Sequence, residues 1–294
     1  MDPIIPNEAQ REAIEKTAMS GSGLCWTCGT CDSECPVYLY TGRLRPQIIV
    51  RMANLGMLDE LMALPQIWYC LGCRRCGTGC PNQVKPFELT RYLRNTLLCN
   101  SRDGAALSAA LRKLMGNFQR VRYRSILRAM HNEQVAISER EWYQWLEKPI
   151  RNSIFKEIEL GVPTEPLKAE LPHAHSPRVC LSCSECSNCC PIFHERSIFD
   201  PQHIIRMSNL GLTGELLKSP SIWMCLGCRR CAQTCSQLVS GYDVIRRLRL
   251  LAVERGEVDP HFPSRLLELE RLIYPRLLDE IDHLVGMFGL QSGR

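Results

Sequence analysis

Apolar positions recur along this chain at intervals of three and four, the period of a helix face turned to a core, and no stretch alternates convincingly as a half-buried strand does. The pattern predicts a first helix over about residues 8–20, with Asn7 as cap, Gln10 in the capping-box position and Gly21 placed to end it. Pro46 to Gly56 reads as a second helix, with Pro in its first turn and Gly at its end, and a short helix then runs to Ala63 and stops before Pro65. Pro86 opens another, to about Cys99, with Phe87, Leu89, Tyr92, Leu93, Thr96 and Leu97 offering a broad apolar face. Between Asp103 and Lys148 two or three more helices are expected, the last introduced by a capping box of Ser138 and Glu141. The fold class read from this pattern is all-α.

The pattern then repeats without a gap. Pro46, Gln47, Ile49, Arg51, Met52, Asn54, Leu55 and Gly56 recur 155 positions later as Pro201, Gln202, Ile204, Arg206, Met207, Asn209, Leu210 and Gly211. Glu60, Leu61, Pro65, Ile67 and Trp68 likewise meet Glu215, Leu216, Pro220, Ile222 and Trp223. Such self-similarity is the mark of a tandem duplication. The expected organisation is a first domain over 1–100, a helical connector over 101–160, a Pro-rich linker over 161–178, a second domain over 179–256 and a helical extension over 257–294. His173 and His175, in the linker, read as exposed residues and not as metal ligands.

With 294 residues, 45% of them hydrophobic and 23% charged, the chain is long enough for two domains with cores. No apolar run approaches the roughly 18 residues needed to span a bilayer. The start, Met1-Asp-Pro-Ile-Ile-Pro, lacks a secretory leader pattern, so a cytoplasmic chain with reduced thiols is expected, with peripheral association to a membrane complex left open. Of the helical basic residues Arg112, Lys113, Arg120, Arg122, Arg124 and Arg128, the expectation is a solvated face, with a docking surface for an acidic partner, and then nucleic acid or a membrane surface, as alternatives.

Cysteine changes the picture most. Of 18 cysteines, sixteen fall into four runs of the form C-x-x-C-x-x-C-x-x-x-C. They are Cys25, Cys28, Cys31 and Cys35; Cys70, Cys73, Cys76 and Cys80; and, 155 positions after each, Cys180, Cys183, Cys186 and Cys190; then Cys225, Cys228, Cys231 and Cys235. Three close thiolates can hold three irons of one cubane, and in compact two-cluster patterns the fourth reaches the other cluster. The crossed rule gives Cys25, Cys28, Cys31 with Cys80; Cys70, Cys73, Cys76 with Cys35; Cys180, Cys183, Cys186 with Cys235; and Cys225, Cys228, Cys231 with Cys190. Uncrossed ligation would use the same sixteen residues. The cofactors expected are four 4Fe-4S clusters, each carrying about −2, which turn the formal charge of +5 to about −3, so that the basicity reads as counter-charge for clusters and no nucleic-acid partner is expected.

Other residues around the runs carry weaker expectations. Pro follows the fourth cysteine in three runs and Ser236 in the last, and Trp26 is placed to shield the first cluster. Gly in the shared Leu-Gly-Cys-Arg-Arg-Cys core lets backbone N–H groups approach a cluster. Arg74, Arg75, Arg229 and Arg230 could act on potential, dock a partner or form surface ion pairs. Of the remaining thiols, Cys99 reads as a buried small hydrophobe, and Cys189 as a spare thiol or an alternative ligand.

Two C-x-x-C-x-x-C-x-x-x-C-P runs about one helical hairpin apart, as in Cys25 to Pro36 and Cys70 to Pro81, resemble the C-type iron-sulfur subunit of heterodisulfide reductases. The resemblance covers roughly residues 8–100 and 165–255. It implies two tandem alpha-helical ferredoxin domains, a fold similar also to the C-terminal half of succinate dehydrogenase iron-sulfur subunits. It further implies an electron-transfer subunit with redox partners, flavin-containing or of the Cys-Cys-Gly iron-sulfur type, in a hetero-oligomer. The chain departs from the family in carrying two such domains. Cys189-Cys190-Pro191 does not match the Cys-Cys-Gly signature, so disulfide reduction is not expected here and no catalytic residue is named. Two other readings compete: an iron-sulfur enzyme with an open cluster site, and a zinc-binding interaction protein.

Overall fold

The computed structural model describes residues 5–133, 136–150, 167, 176–192 and 195–289. Most of the expected linker, with His173 and His175, lies outside them. Among the described residues the regular structure is helical throughout, and the chain forms two compact units, residues 1–112 with 271–294, and residues 113–270.

In the first unit, α1 (Glu8–Ala18) is capped by Asn7, whose side chain accepts from the Gln10 N–H at 3.1 Å. The box is not closed. Gln10 Oε1 accepts instead from the Leu58 N–H, and the Asn7 N–H donates to the Leu55 carbonyl at 2.9 Å. α1 also ends earlier than expected, because Met19 turns left-handed (φ 50) and the Ser20 carbonyl is taken by the Lys85 N–H at 2.8 Å. The left-handed turn at Met19, two residues before Gly21, ends the helix.

Four short helices follow, α2 (Thr30–Ser33), α3 (Pro36–Thr41), α4 (Pro46–Asn54) and α5 (Leu58–Ala63), then a 3-10 turn over Pro65–Tyr69. Gly56, at φ +70, ends α4 where a Cβ would stand 1.9 Å from the Asn7 carbonyl oxygen, so only glycine fits. α6 (Arg75–Thr78) and α7 (Pro86–Asn100) complete the repeat. α7 buries Pro86, Leu89, Thr90 and Leu93 beside Ile14, Ile49, Val50, Leu61 and Ile67; each fully buried aliphatic side chain is worth about 1.5–3 kcal/mol. The buried stripe is narrower than the expected face, since Phe87, Tyr92, Thr96 and Leu97 stay partly accessible.

Next come α8 (Gly104–Met130) and α9 (Glu139–Glu147), the latter opened by the expected capping box of Ser138 and Glu141. The second repeat then follows as α10 (Glu185–Asn188), α11 (Pro201–Asn209), α12 (Thr213–Leu217), α13 (Arg230–Thr234) and α14 (Gly241–Glu254), before the terminal α15 (Phe262–Met287). The division into units falls inside α8 and α15.

Of the basic residues of α8, Arg112 and Lys113 are exposed as expected, but the four arginines from Arg120 onward do not form a solvated face. Arg122 is 1% exposed and pairs with Glu270 at 2.6 Å, while also donating to Gln119 Oε1 and to the Met224 carbonyl. Arg120 pairs with Glu195 at 2.7 Å, Arg128 pairs with Glu141 at 2.7 Å, and Arg124 donates to the carbonyls of Trp145 and Lys148. Only the sequence-distant partners reveal this, and no periodicity in α8 contains them.

Candidate metal centres

Each cysteine run folds into the same loop. Two residues after its first cysteine, Thr27, Gly72, Ser182 and Gly227 take φ of 56°, 66°, 55° and 68°. In that conformation the N–H turns back on the cysteine: Thr27 to Cys25 Sγ at 3.3 Å, and Gly72 to Cys70, Ser182 to Cys180 and Gly227 to Cys225, each at 3.4 Å. A second left-handed residue follows at Gly29, Arg74, Ser184 and Arg229, immediately before or capping the short helices α2, α6, α10 and α13. Such N–H donors stabilise negative charge on sulfur.

The loops bring sulfurs from different runs together. One cavity is lined by Cys35 with Cys70, Cys73 and Cys76. A second is lined by Cys190 with Cys225, Cys228 and Cys231, and a third by Cys235 with Cys180, Cys183 and Cys186. Around the remaining set, Cys25 acts electrostatically on Cys31, and Asn82, two residues past Cys80, donates to the Leu24 carbonyl at 3.0 Å.

Burial dominates the thiol electrostatics. It pushes Cys31, Cys35 and Cys186 up to about 12 and Cys228 to about 11, and raises Cys76, Cys190 and Cys231 as well. Neighbouring cysteines add to it: Cys70, Cys73 and Cys35 on Cys76, and Cys225, Cys228 and Cys231 on Cys190. Crowded, desolvated sulfurs of this kind ionise readily only beside a compensating cation.

All 18 cysteines are free thiols, and among the described residues no three of His, Cys, Asp or Glu converge on one point as a mononuclear site requires. Four cysteines around a cavity, three from one run and one from another, supply the thiolates of a cubane whose irons occupy separate corners, although Glu185 and Gln202 also line the third cavity.

Comparison with known families decides the motif. The model of the 4Fe-4S dicluster domain matches residues 22–84 and again 177–239. The chain carries this 4Fe-4S dicluster domain twice. It is also similar to the C-type subunits of heterodisulfide reductases. The C-type subunit of the H(2):CoB-CoM heterodisulfide,ferredoxin reductase of Methanothermobacter thermautotrophicus is 32% identical over 114 residues, 37% of this chain and 57% of the relative. A protein of Archaeoglobus profundus, named as like the C-type heterodisulfide reductase subunit, is 31% identical over 103 residues, 35% of this chain and 55% of the relative. The C-type iron-sulfur subunit of the CoB--CoM heterodisulfide reductase of Methanopyrus kandleri is 33% identical over 89 residues, 30% of this chain and 46% of the relative. The chain thus spans about half the length of the curated relatives it matches.

Both dicluster domains hold their loops with the same side chains, several of which the cysteine pattern gave no reason to single out. Arg94 donates to the carbonyls of Ile67 and Cys70, and Arg249 to those of Ile222 and Cys225. Gln47 Nε2 donates to the Thr27 carbonyl and Gln202 Nε2 to that of Ser182; Asn54 and Asn209 do the same for Ser22 and Pro177. Arg74 and Arg229 lie over the rings of Phe87 and Tyr242, at 4.8 and 4.9 Å. Gln47, Asn54 and their counterparts were visible as retained positions; Arg94 and Arg249 could have been found the same way.

Two residues, Cys99 and Trp26, sit otherwise than expected. Cys99 is exposed, in the last turn of α7 beyond that helix's buried stripe. Trp26 is 77% exposed and belongs to no core. Cys189 is buried, donating to the Cys186 carbonyl at 3.4 Å and accepting from Thr234 Oγ1 at 3.3 Å.

Proposed function

We propose that this chain relays single electrons through four 4Fe-4S clusters between redox subunits of a larger oxidoreductase related to heterodisulfide reductases. The observation that carries the reading is the gathering of four sulfurs around each of three cavities, always three from one run and one from its neighbour. It favours the crossed assignment for all sixteen cysteines: Cys25, Cys28, Cys31 with Cys80; Cys70, Cys73, Cys76 with Cys35; Cys180, Cys183, Cys186 with Cys235; and Cys225, Cys228, Cys231 with Cys190. Bound there, the cubanes supply one-electron exchange at iron.

The protein's part is to hold sulfur geometry and charge. The left-handed N–H donors of Thr27, Gly72, Ser182 and Gly227 offset charge on the first thiolate of each run. Arg94 and Arg249 fix the loops of the second and fourth runs through their carbonyls. Buried walls such as Val37, Ile49 and Ile192 keep water from the inner clusters. Partners of this electron relay are a flavin-containing subunit, a Cys-Cys-Gly iron-sulfur subunit, or both. Among the described residues no helix is long and apolar enough to cross a membrane.

Anaerobic reconstitution tests the reading. About sixteen irons and as many sulfides per chain are expected, with EPR signals of reduced cubanes on dithionite addition. A colourless protein that takes up zinc in preference to iron would overturn it.

A further inference from the structure

The two dicluster domains differ where their loops meet. In the first, Glu34 accepts from Arg75 Nε at 3.1 Å and Nη2 at 2.9 Å. Its Cγ packs on Gly79, where a Cβ would be only 2.8 Å away. Glu34 lies between Cys31 and Cys35, Arg75 adjoins Cys76 and Gly79 adjoins Cys80, so this ion pair stands where ligands proposed for both clusters come together. In the second domain the matching residues are Cys189, Arg230 and Thr234. Thr234 fills the space that Gly79 leaves open, and its hydroxyl donates to Cys189. Cys189 donates to the Cys186 carbonyl at 3.4 Å and adjoins Cys190, a ligand proposed for the other cluster, so it too stands between two cluster sites.

Reduction adds one negative charge to a cluster, and a fixed carboxylate nearby opposes it more strongly in a partly desolvated site than in water. We propose that positions 34 and 189 set the reduction potentials of the two cluster pairs, the Glu34 carboxylate holding the first domain's pair down and Cys189, which puts no carboxylate at the matching place, sparing the second domain's pair that effect. The inference rests on the four-cluster reading. A second difference lies on the other side of each domain's first run. There Asp32 pairs with Arg45 at 3.1 Å, whereas Asp200 takes the place of Arg45 and accepts from the Ser187 hydroxyl at 2.6 Å. Each domain is therefore to be compared with its own variants.

The test is an EPR-monitored potentiometric titration of the reconstituted full chain, with iron and sulfide counted on every sample. Glu34→Gln keeps size and hydrogen bonding; it should move one subset of midpoint potentials upward at unchanged iron content and leave the others alone, and Glu34→Asp should restore them. Cys189→Glu combined with Thr234→Gly, which reopens the space Gly79 provides, should move the complementary subset downward, while Cys189→Ser should move none. Unmoved midpoints in iron-replete Glu34→Gln, or the same subset responding to both changes, would overturn the proposal. Should Glu34→Gln lose iron, the double variant decides: a downward shift supports the proposal and no shift ends it. Iron far below about sixteen in the unsubstituted chain would instead sink the four-cluster reading.

Discussion

Arg94 holds the carbonyl of Cys70 at 2.8 Å, and with the same guanidinium takes the carbonyl of Ile67, so one side chain of α7 pins both the 3-10 turn and the cysteine loop that follows it. Arg249 does the same for Cys225 and Ile222. Arg94→Met should leave both carbonyls without this donor, at about 1–3 kcal/mol for each one left buried and unsatisfied. Arg94→Lys keeps the charge without the planar fork and should rescue only partly. Urea denaturation and iron content of the two variants, read side by side, check this.

Gly56 and Gly72 share a left-handed backbone but not their surroundings. At Gly72 a Cβ would meet nothing within 4 Å, so Gly72→Ala should cost about 1 kcal/mol of backbone strain and keep its cluster. At Gly56 the Cβ collides with the Asn7 carbonyl, so Gly56→Ala should cost several times more and loosen α1 from α4. Denaturation midpoints compared between the two variants will show whether close approach or φ dominates.

Raised thiol pKa values make the iron-free protein sensitive to alkali. Cys35 is pushed up to about 12 and Cys228 to about 11, by burial first, from an ordinary value of 9.0. The folded state then keeps protons that the unfolded chain releases, so the stability these thiols contribute is present below about pH 9 and is lost as pH rises towards 11 and 12. The apoprotein should denature at lower urea at about pH 10 than at about pH 8. The iron-loaded protein, whose sulfurs are already deprotonated, should show a much flatter dependence.

Breaking the Arg122–Glu270 pair should cost about 3–5 kcal/mol, because either partner alone is left as an uncompensated charge at 2–3% side-chain exposure. Arg122→Met with Glu270→Leu should recover most of that loss. A double-mutant cycle by chemical denaturation measures the difference.

Cys99 should be dispensable for metal. Cys99→Ser is expected to retain full iron, and in the loaded protein Cys99 should be alkylated first, being exposed and outside every run. Mass mapping of alkylated peptides checks both.

Helices, repeat and cysteine runs were legible in the sequence because each rests on local rules: Pro at a first turn, Gly at an end, fixed spacing between thiols. What was not legible depended on tertiary partners. α1 ends at the left-handed Met19, just before a Ser20 carbonyl taken by the distant Lys85 N–H, and the Gln10 side chain serves Leu58 in place of a capping box. The arginines of α8 read as surface residues until Glu195 and Glu270, 75 and 148 positions away, are seen beside Arg120 and Arg122. Cys99 was misplaced for a simpler reason: an apolar stripe says which face of a helix is buried, not how far along the helix the core extends.

The four loops also amount to a substitution series that the chain carries within itself. One backbone is built four times, with Thr27, Gly72, Ser182 and Gly227 at its first left-handed place and Gly29, Arg74, Ser184 and Arg229 at its second. Residues as unlike as glycine and arginine thus occupy equivalent torsions, and each copy serves as the internal control for the others. Differences in behaviour between the four centres are then to be sought in the side chains on and around the loops, not in these shared turns.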